Sequence, residues 1–375
     1  MHAAAPTKRR WRLLLAGDVM LGRGIDQALA HPSSPELHEP WVRDAREYVR
    51  LAERANGPIP APLAPEYVWG EALARLDDLA PSLRIVNLET SITDCDRPYP
   101  GKAIHYRMHP ANVDCLLALR PDCCVLANNH VLDWGEDGLR QTLATLARAG
   151  VHTAGAGLDE NQALAPAVLD VPGGRVLVFA CATGDSGVPQ EQAARPARAG
   201  VSRLPDCSTE AAERLCRRVE ALRREDDLVV ASIHWGDNWV REVPGKQRAF
   251  AQRLLDSGSI DVIHGHSSHH PLPVQIHRGK LVLHGCGDLV NDYEGIGPHG
   301  ALRSDLGCLH LADFDIATRH CVELRIVPLQ LRRFRLGAPD DAALAWLASA
   351  IADPPEETFA RLALDQGTLH WQALA

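Results

Sequence analysis

The chain has 375 residues with 46% apolar and 23% charged side chains, enough for a large core in one elaborated domain and too apolar for a disordered or coiled-coil protein. A formal net charge of -9 excludes a broad basic face for nucleic acid or an anionic membrane. No apolar stretch is long enough for a membrane span, and the short run 13–15 is broken by Gly17-Asp18, which rules out a secretory leader and predicts a cytoplasmic protein.

In chain order, short apolar runs at 13–16, 85–86, 123–127, 176–182, 228–233, 260–263 and 280–283 each stop at Gly, Asn, Asp or His, as buried strands do. Between several of them the spacing predicts helices over 71–79, 139–149, 209–224 and 246–256. This alternation predicts an α/β fold with helices covering mixed sheets. Runs at 307–313 and 322–329 follow without helices and predict closing antiparallel strands, which makes two packed sheets. Residues 31–65 interrupt the rhythm with prolines and one helix-forming stretch at 42–54, and read as an insertion, either a lid or a passive excursion. The catalytic-type domain is expected over 12–330. The tail 331–375 is expected to be a helical extension, with Asp340 or Asp341 near a helix start and 342–351 as its body. The ten cysteines are scattered, with no C-x-x-C pair, and read as buried thiols.

Six strand ends carry residues that bind metals or move protons: Asp18 after Gly17, Glu89 in Asn87-Leu88-Glu89, Asn129 and His130 in Asn128-Asn129-His130 with Asp133 beyond, His234 before Trp235-Gly236, the run 264–270, and Asp288 with Asn291-Asp292. Loops after strand ends meet in one crevice in an open α/β sheet. Each element alone is weak, because Gly-Asp is first of all a turn former. The cluster of His264, His266, His269 and His270 is the strongest signal, since neutral imidazole is the commonest transition-metal donor. A mixed oxygen and nitrogen donor set suits Mn, Fe, Zn or Co in an open site better than structural zinc.

The motifs GDVMLGR at 17–23, NLE at 87–89, NNHVLDWGEDGL at 128–139, HWG at 234–236 and GHSSHHP at 265–271 together resemble the CapA family of poly-γ-glutamate capsule synthesis, related in fold to calcineurin-like metallophosphoesterases. The resemblance implies a two-sheet α/β sandwich over about 12–329, with a metal crevice of Asp18, Glu89, Asn129, His234, His266 and His269 and with His130 as a nearby acid or base. It implies a divalent metal, Mn first, with Zn, Fe, Mg or Ca as alternatives. Phosphoesterase relatives begin with Asp-x-His, where this chain has Asp18-Val19-Met20, a thioether that is a poor donor to a hard ion. Their second carboxylate is Asp, where this chain has Glu89.

Three functions fit this resemblance. The first is a hydrolase of amide, peptide or phosphoester bonds, with Arg23, Lys102 and Arg107 taking the carboxylates of an anionic peptide or polyglutamate-like substrate. The second is a peptide epimerase, with Asp18 or His130 on one face of the carbon and His270 or His299 on the other. The third is a non-catalytic factor in polymer assembly or export.

Overall fold

In the computed structural model, residues 10–297, 300–352, 363–365 and 367–372 are described. Two mixed sheets dominate. The larger runs, in spatial order, through Ala363–Asp365, Thr368–Gln372, Cys321–Arg332, Leu306–Asp315, Arg10–Val19, Leu83–Leu88, Cys123–Val125 and His152–Ala154. The smaller runs Val274–His277, Lys280–Leu283, Val262–His266, Leu228–His234, Gly174–Ala182 and Ala167–Val171. This is the two-sheet α/β architecture expected from the alternation of runs.

The reason lies in where the apolar side chains go. In the Arg10–Val19 strand, Leu13, Leu14, Leu15 and Ala16 are all buried, because both faces of this central strand are covered. It pairs in parallel with Leu83–Leu88 and antiparallel with Leu306–Asp315. On the second sheet, Leu177, Phe179, Val229, Ala231, Ile233 and Ile263 face a layer made by two helices, Thr209–Glu220 and Gly245–Asp256. The first of these starts at Ser208, whose Oγ accepts from the Ala211 amide at 3.2 Å. It buries Ala211, Ala212, Leu215, Cys216 and Val219, the stripe that a period of 3.6 residues puts on one face. Each fully buried Leu, Ile or Phe of this kind contributes about 1.5–3 kcal/mol.

The segment 31–65 carries the helix Arg46–Asn56, close to the stretch expected to be helical, and its Tyr48 and Ala52 are buried. Leu37, Ala45 and Tyr48 pack with Ile296, so the segment is seated on the 293–296 region. In the tail, Asp340 caps the expected helix, Asp341–Ile351, accepting from the Ala343 amide at 2.8 Å. The tail is not only helical, however. Strands Arg335–Gly337 and Thr368–Gln372 both pair with Cys321–Arg332, a strand that itself crosses residue 330, and Ala363–Asp365 extends the same sheet. All ten cysteines are free; eight are buried, and Cys95 and Cys207 are half-buried. Among the described residues, no helix is long and apolar enough to cross a membrane.

Candidate metal centre

The strand ends bring the chemistry together by register. Asp18 lies opposite Asn87 on one neighbouring strand and Asp288 on the other. The close approach on the second side needs Gly17: a Cβ there would sit 1.8 Å from the Gly287 carbonyl oxygen. The Asp18 amide donates to that Gly287 oxygen at 3.0 Å. In the other sheet, His234 is paired with His266. His264 donates through Nε2 to the Ala16 carbonyl at 2.9 Å, so this histidine ties the two sheets together.

Five of the six expected ligands keep a buried polar atom with no hydrogen-bond partner: Asp18 Oδ2, Glu89 Oε1, Asn129 Oδ1, His234 Nδ1 and His266 Nδ1. The ligand atoms of Asp18, Glu89 and His234 lie within 4.8 Å of one another, and so do those of Asp18, His269 and Asp288. His266 Nδ1 is 3.2 Å from Asp18 Oδ1. Asn129 follows Asn128 and precedes His130, both of which touch this network. The donors therefore fit a divalent ion, and Asp18 is common to both groups. Carboxylate oxygens and imidazole nitrogens without thiolates are the donors of an open centre.

Supporting residues hold these ligands. Asn87 Nδ2 donates to Asp18 Oδ1 at 2.8 Å and to Glu89 Oε2 at 3.3 Å. Asn128 Nδ2 donates to Asn87 Oδ1 at 3.0 Å, while its Oδ1 accepts from the His130 and Val131 amides. Ser232 Oγ contacts His266 Nε2 at 2.9 Å. His269 Nδ1 donates to Asp288 Oδ1 at 2.8 Å, and Asn291 Nδ2 donates to Asp288 Oδ2 at the same distance. Such outer contacts set ring orientation and tautomer.

The electrostatics follow from burying three carboxylates together. Burial pushes the Asp18 carboxyl up, but His266, with the fields of His234 and His269, outweighs it and holds Asp18 below the usual range. Burial, then Asp18 and Asp288, push Glu89 well above it. Asp288 is pushed up to about 6, chiefly by burial. Burial pulls His234 down to about 3 and His130 down to about 4. A cation is the charge that relieves such a cluster.

His130 lies beside the ligands. Its Nδ1 donates to Asp133 Oδ2 at 2.7 Å, and its Nε2 is 3.9 Å from Glu89 Oε1. Lys102 Nζ donates to Asp133 Oδ1 and to the Asn129 carbonyl. Lys102 also lines a cleft of about 510 Å³ with Tyr99, Gly101, Gly184, Gly187 and Gln192. Gly187 abuts the Asn129 side chain, so the cleft runs beside that residue.

Three expected site residues face elsewhere. The Arg23 guanidinium is buried between Asp292, at 2.5 and 2.8 Å, and Glu39, at 2.8 Å. Arg107 donates to the Cys95 carbonyl and to Asp96 and stacks over Trp134 at 3.9 Å. His270 has both ring nitrogens on backbone carbonyls, those of Pro271 and Val240. It sits next to His269, whose φ of 57° turns that residue toward Asp288. His299 lies outside the described residues. Met20 is buried, with Tyr293 Oη 3.7 Å from its sulfur. Asp288, one of the strand-end residues of the sequence, joins a ligand group through its register with Asp18, and Asn87 and Asn128, which stand inside the motifs, support the ligands.

The profile of the family described as "Bacterial capsule synthesis protein PGA_cap" matches residues 12–293. Two strains of Mycobacterium tuberculosis carry a protein named "Probable polyglutamine synthesis accessory protein" that is 47% identical over 341 residues, covering 90% of each chain. "PGA biosynthesis protein CapA" of Bacillus subtilis is 27% identical over 277 residues, covering 74% of this chain and 62% of that one. A solved phosphatase of Mycoplasma pneumoniae shares a TM-score of 0.48 and 11% identity over 86% of this chain and 95% of that one. With the family profile running over most of its length and a relative matched nearly end to end, the chain belongs to the bacterial capsule synthesis protein family to which its motifs pointed.

Proposed function

We propose that this protein is a divalent-metal-dependent hydrolase that cleaves an amide, peptide or phosphoester bond in an anionic, glutamate-type polymer or its precursors. The observation that carries this reading is the set of unpartnered buried atoms on Asp18, Glu89, Asn129, His234 and His266. Leaving one buried polar atom unsatisfied costs about 1–3 kcal/mol, more when it is charged, so those of Asp18, Glu89 and His234, three residues whose ligand atoms lie within 4.8 Å of one another, mark a place kept for a ligand. A bound divalent ion, with Mn the first candidate, supplies Lewis acidity and lowers the pKa of water. Asp18, Glu89, Asn129, His234, His266, His269 and Asp288 are the residues that would hold it, and the two groups that share Asp18 would take one ion each.

The rest of the chemistry belongs to the chain. Asp133 holds the Nδ1–H of His130, which leaves the Nε2 lone pair on the Glu89 side as a proton acceptor. His130 in this tautomer takes a proton from the attacking oxygen and returns it to the leaving group. Lys102 fixes Asp133 and brings positive charge to the cleft edge, where a substrate carboxylate would lie. The names of the relatives, which speak of polyglutamine synthesis and PGA biosynthesis, support a substrate of this class.

The test is elemental analysis of the full chain after reloading with manganese, beside the double variant His266→Ala with His269→Ala, followed by assays on γ-linked glutamyl peptides and phosphoesters. The parent alone is expected to retain metal and to release product. Equal or absent metal in both proteins sinks the reading and favours a role in polymer assembly. Inversion of a glutamyl centre without cleavage replaces hydrolysis with proton transfer at Cα.

A further inference from the structure

Arg23 occupies an unusual position for a residue that binds nothing. It is buried, and its backbone sits at φ 52° and ψ -115°, a conformation that side chains other than glycine rarely adopt. Gly22 before it admits no Cβ, which would fall 2.7 Å from Thr90 Oγ1 and 2.8 Å from the Arg107 amide. The backbone is thus forced to present the guanidinium inward. There it forms a two-pronged pair with Asp292 and a third contact with Glu39, and its flat face lies 3.6 Å from the Tyr48 ring centroid and 4.6 Å from that of Tyr106.

The partners of Arg23 are the neighbours of the centre. Asp292 stands between Asn291, which holds Asp288 Oδ2, and Tyr293, whose ring meets His269 edge-on at 5.8 Å. The same Asp292 carboxylate accepts the Gly24 amide at 2.8 Å, so 288–293 is clamped to the loop that follows Asp18. Tyr106 meets His130 edge-on at 4.7 Å. Glu39 and Tyr48, both buried, bring the 31–65 segment onto the same cation, with Tyr48 Oη donating to Glu39.

We propose that Arg23 is a positioning residue: clamped to Asp292, it sets the placement of the Asp18–His269–Asp288 group, and with Glu39 and Tyr48 it makes 31–65 a fixed wall rather than a lid. The inference rests on the metal-centre reading above. Arginine is needed because its planar fork grips Asp292 with two donors while a third reaches Glu39, which a lysine ammonium cannot reproduce. The Asp18–Glu89–His234 group shares Asp18 with the Asp18–His269–Asp288 group and has further support from Asn87 and Asn128.

The experiment compares the wild type with Arg23→Lys and with Asp292→Asn, which keeps the shape of the carboxylate. Each full-length protein is loaded with manganese, and metal per chain, the electron paramagnetic resonance spectrum and metal-free thermal stability are recorded. The wild type is expected to hold two ions with an exchange-coupled signal. The variants, folded by the thermal measurement, are expected to hold the second ion about 10- to 100-fold more weakly and to show the six-line signal of an isolated ion. If either folded variant keeps a coupled pair at wild-type affinity, Arg23 has a merely structural role and the proposal is overturned. If Arg23→Lys does not fold, Asp292→Asn decides alone. A wild type holding fewer than two ions overturns the two-group centre itself and this inference with it, a result separate from any difference between wild type and variants.

Discussion

Two buried charge clusters lie side by side and are built on opposite rules. In the Arg23 cluster, the guanidinium spreads its donors over Asp292 and Glu39, the Tyr48 hydroxyl donates to the second Glu39 oxygen, and the Gly24 amide donates to Asp292. In the crevice, Asp18, Glu89 and Asp288 share a space with histidines held neutral or engaged, and two of those carboxylates keep an unpartnered oxygen. Other unpartnered atoms, such as His284 Nδ1, His310 Nδ1 and Gln247 Oε1, are scattered singly on neutral side chains, and Asp261 Oδ1 has Lys280 and Arg319 at 3.5 Å. Burial of charge therefore does not mark a functional site; convergent, uncompensated charge does.

The comparison breaks most visibly at Asp18, which belongs to both ligand groups. Asp18→Ala is expected to remove bound metal and to lower activity by about 10³-fold, corresponding to about 4 kcal/mol of transition-state stabilisation. Metal-free, the variant should lose about 1–3 kcal/mol in urea unfolding, because Asn87 Nδ2 and His266 lose the carboxylate they hold in its charged form; unchanged stability would show that repulsion from Glu89 and Asp288 cancels that attraction. Next in size, chelation of the loaded parent should lower its stability by about 2.7 kcal/mol when free metal had stood at a hundred times its dissociation constant. Calorimetry should find no such change in Asp18→Ala.

A histidine outside both clusters sharpens the contrast. Burial pulls His284 down to about 3, with Arg248 adding to the effect. Its folded form stays neutral while the unfolded chain takes up a proton below pH of about 6.5, so its share of stability is full above that pH and is lost as pH falls toward 3. In the metal-free protein, His284→Gln should flatten the stability curve between pH 6 and 4 by about 1.4 kcal/mol per unit. The smallest effect belongs to Tyr48→Phe, which strips one donor from Glu39. Denaturant titration should show a loss of about 1 kcal/mol with metal content unchanged.

Much of this arrangement was legible because burial and period leave traces in sequence. The runs around 13–16, 176–182 and 228–233 are strands, and the apolar spacing over 71–79 is the helix Glu71–Leu79. The tail strands escaped because Thr368–Gln372 is a half-polar edge element defined by its partner, Cys321–Arg332, rather than by its own pattern. At the site, histidines crowded into 264–270 announced donors, but not which way each one faces. His266 and His269 face the crevice, His264 bridges the sheets and His270 turns to backbone carbonyls. Arg23 and Arg107 engage carboxylates of the chain itself, since nearness in sequence to a ligand says nothing about the direction of a long side chain. Asp288 shows in the sequence as a strand-end Gly-Asp, ordinarily a turn, and only its register with Asp18 brings it into a ligand group.

The pairing of Thr368–Gln372 with Cys321–Arg332 has a practical side. A chain cut after the helix Asp341–Ile351 would keep every ligand of the crevice, yet part of a long strand would lose its neighbour and offer open amides and carbonyls to other molecules. Such a shortened protein is expected to bind metal and still precipitate on concentration. Expression designs that trim the chain to its catalytic-looking portion would then trade handling for brevity, and a solubility failure there would say nothing against the centre itself.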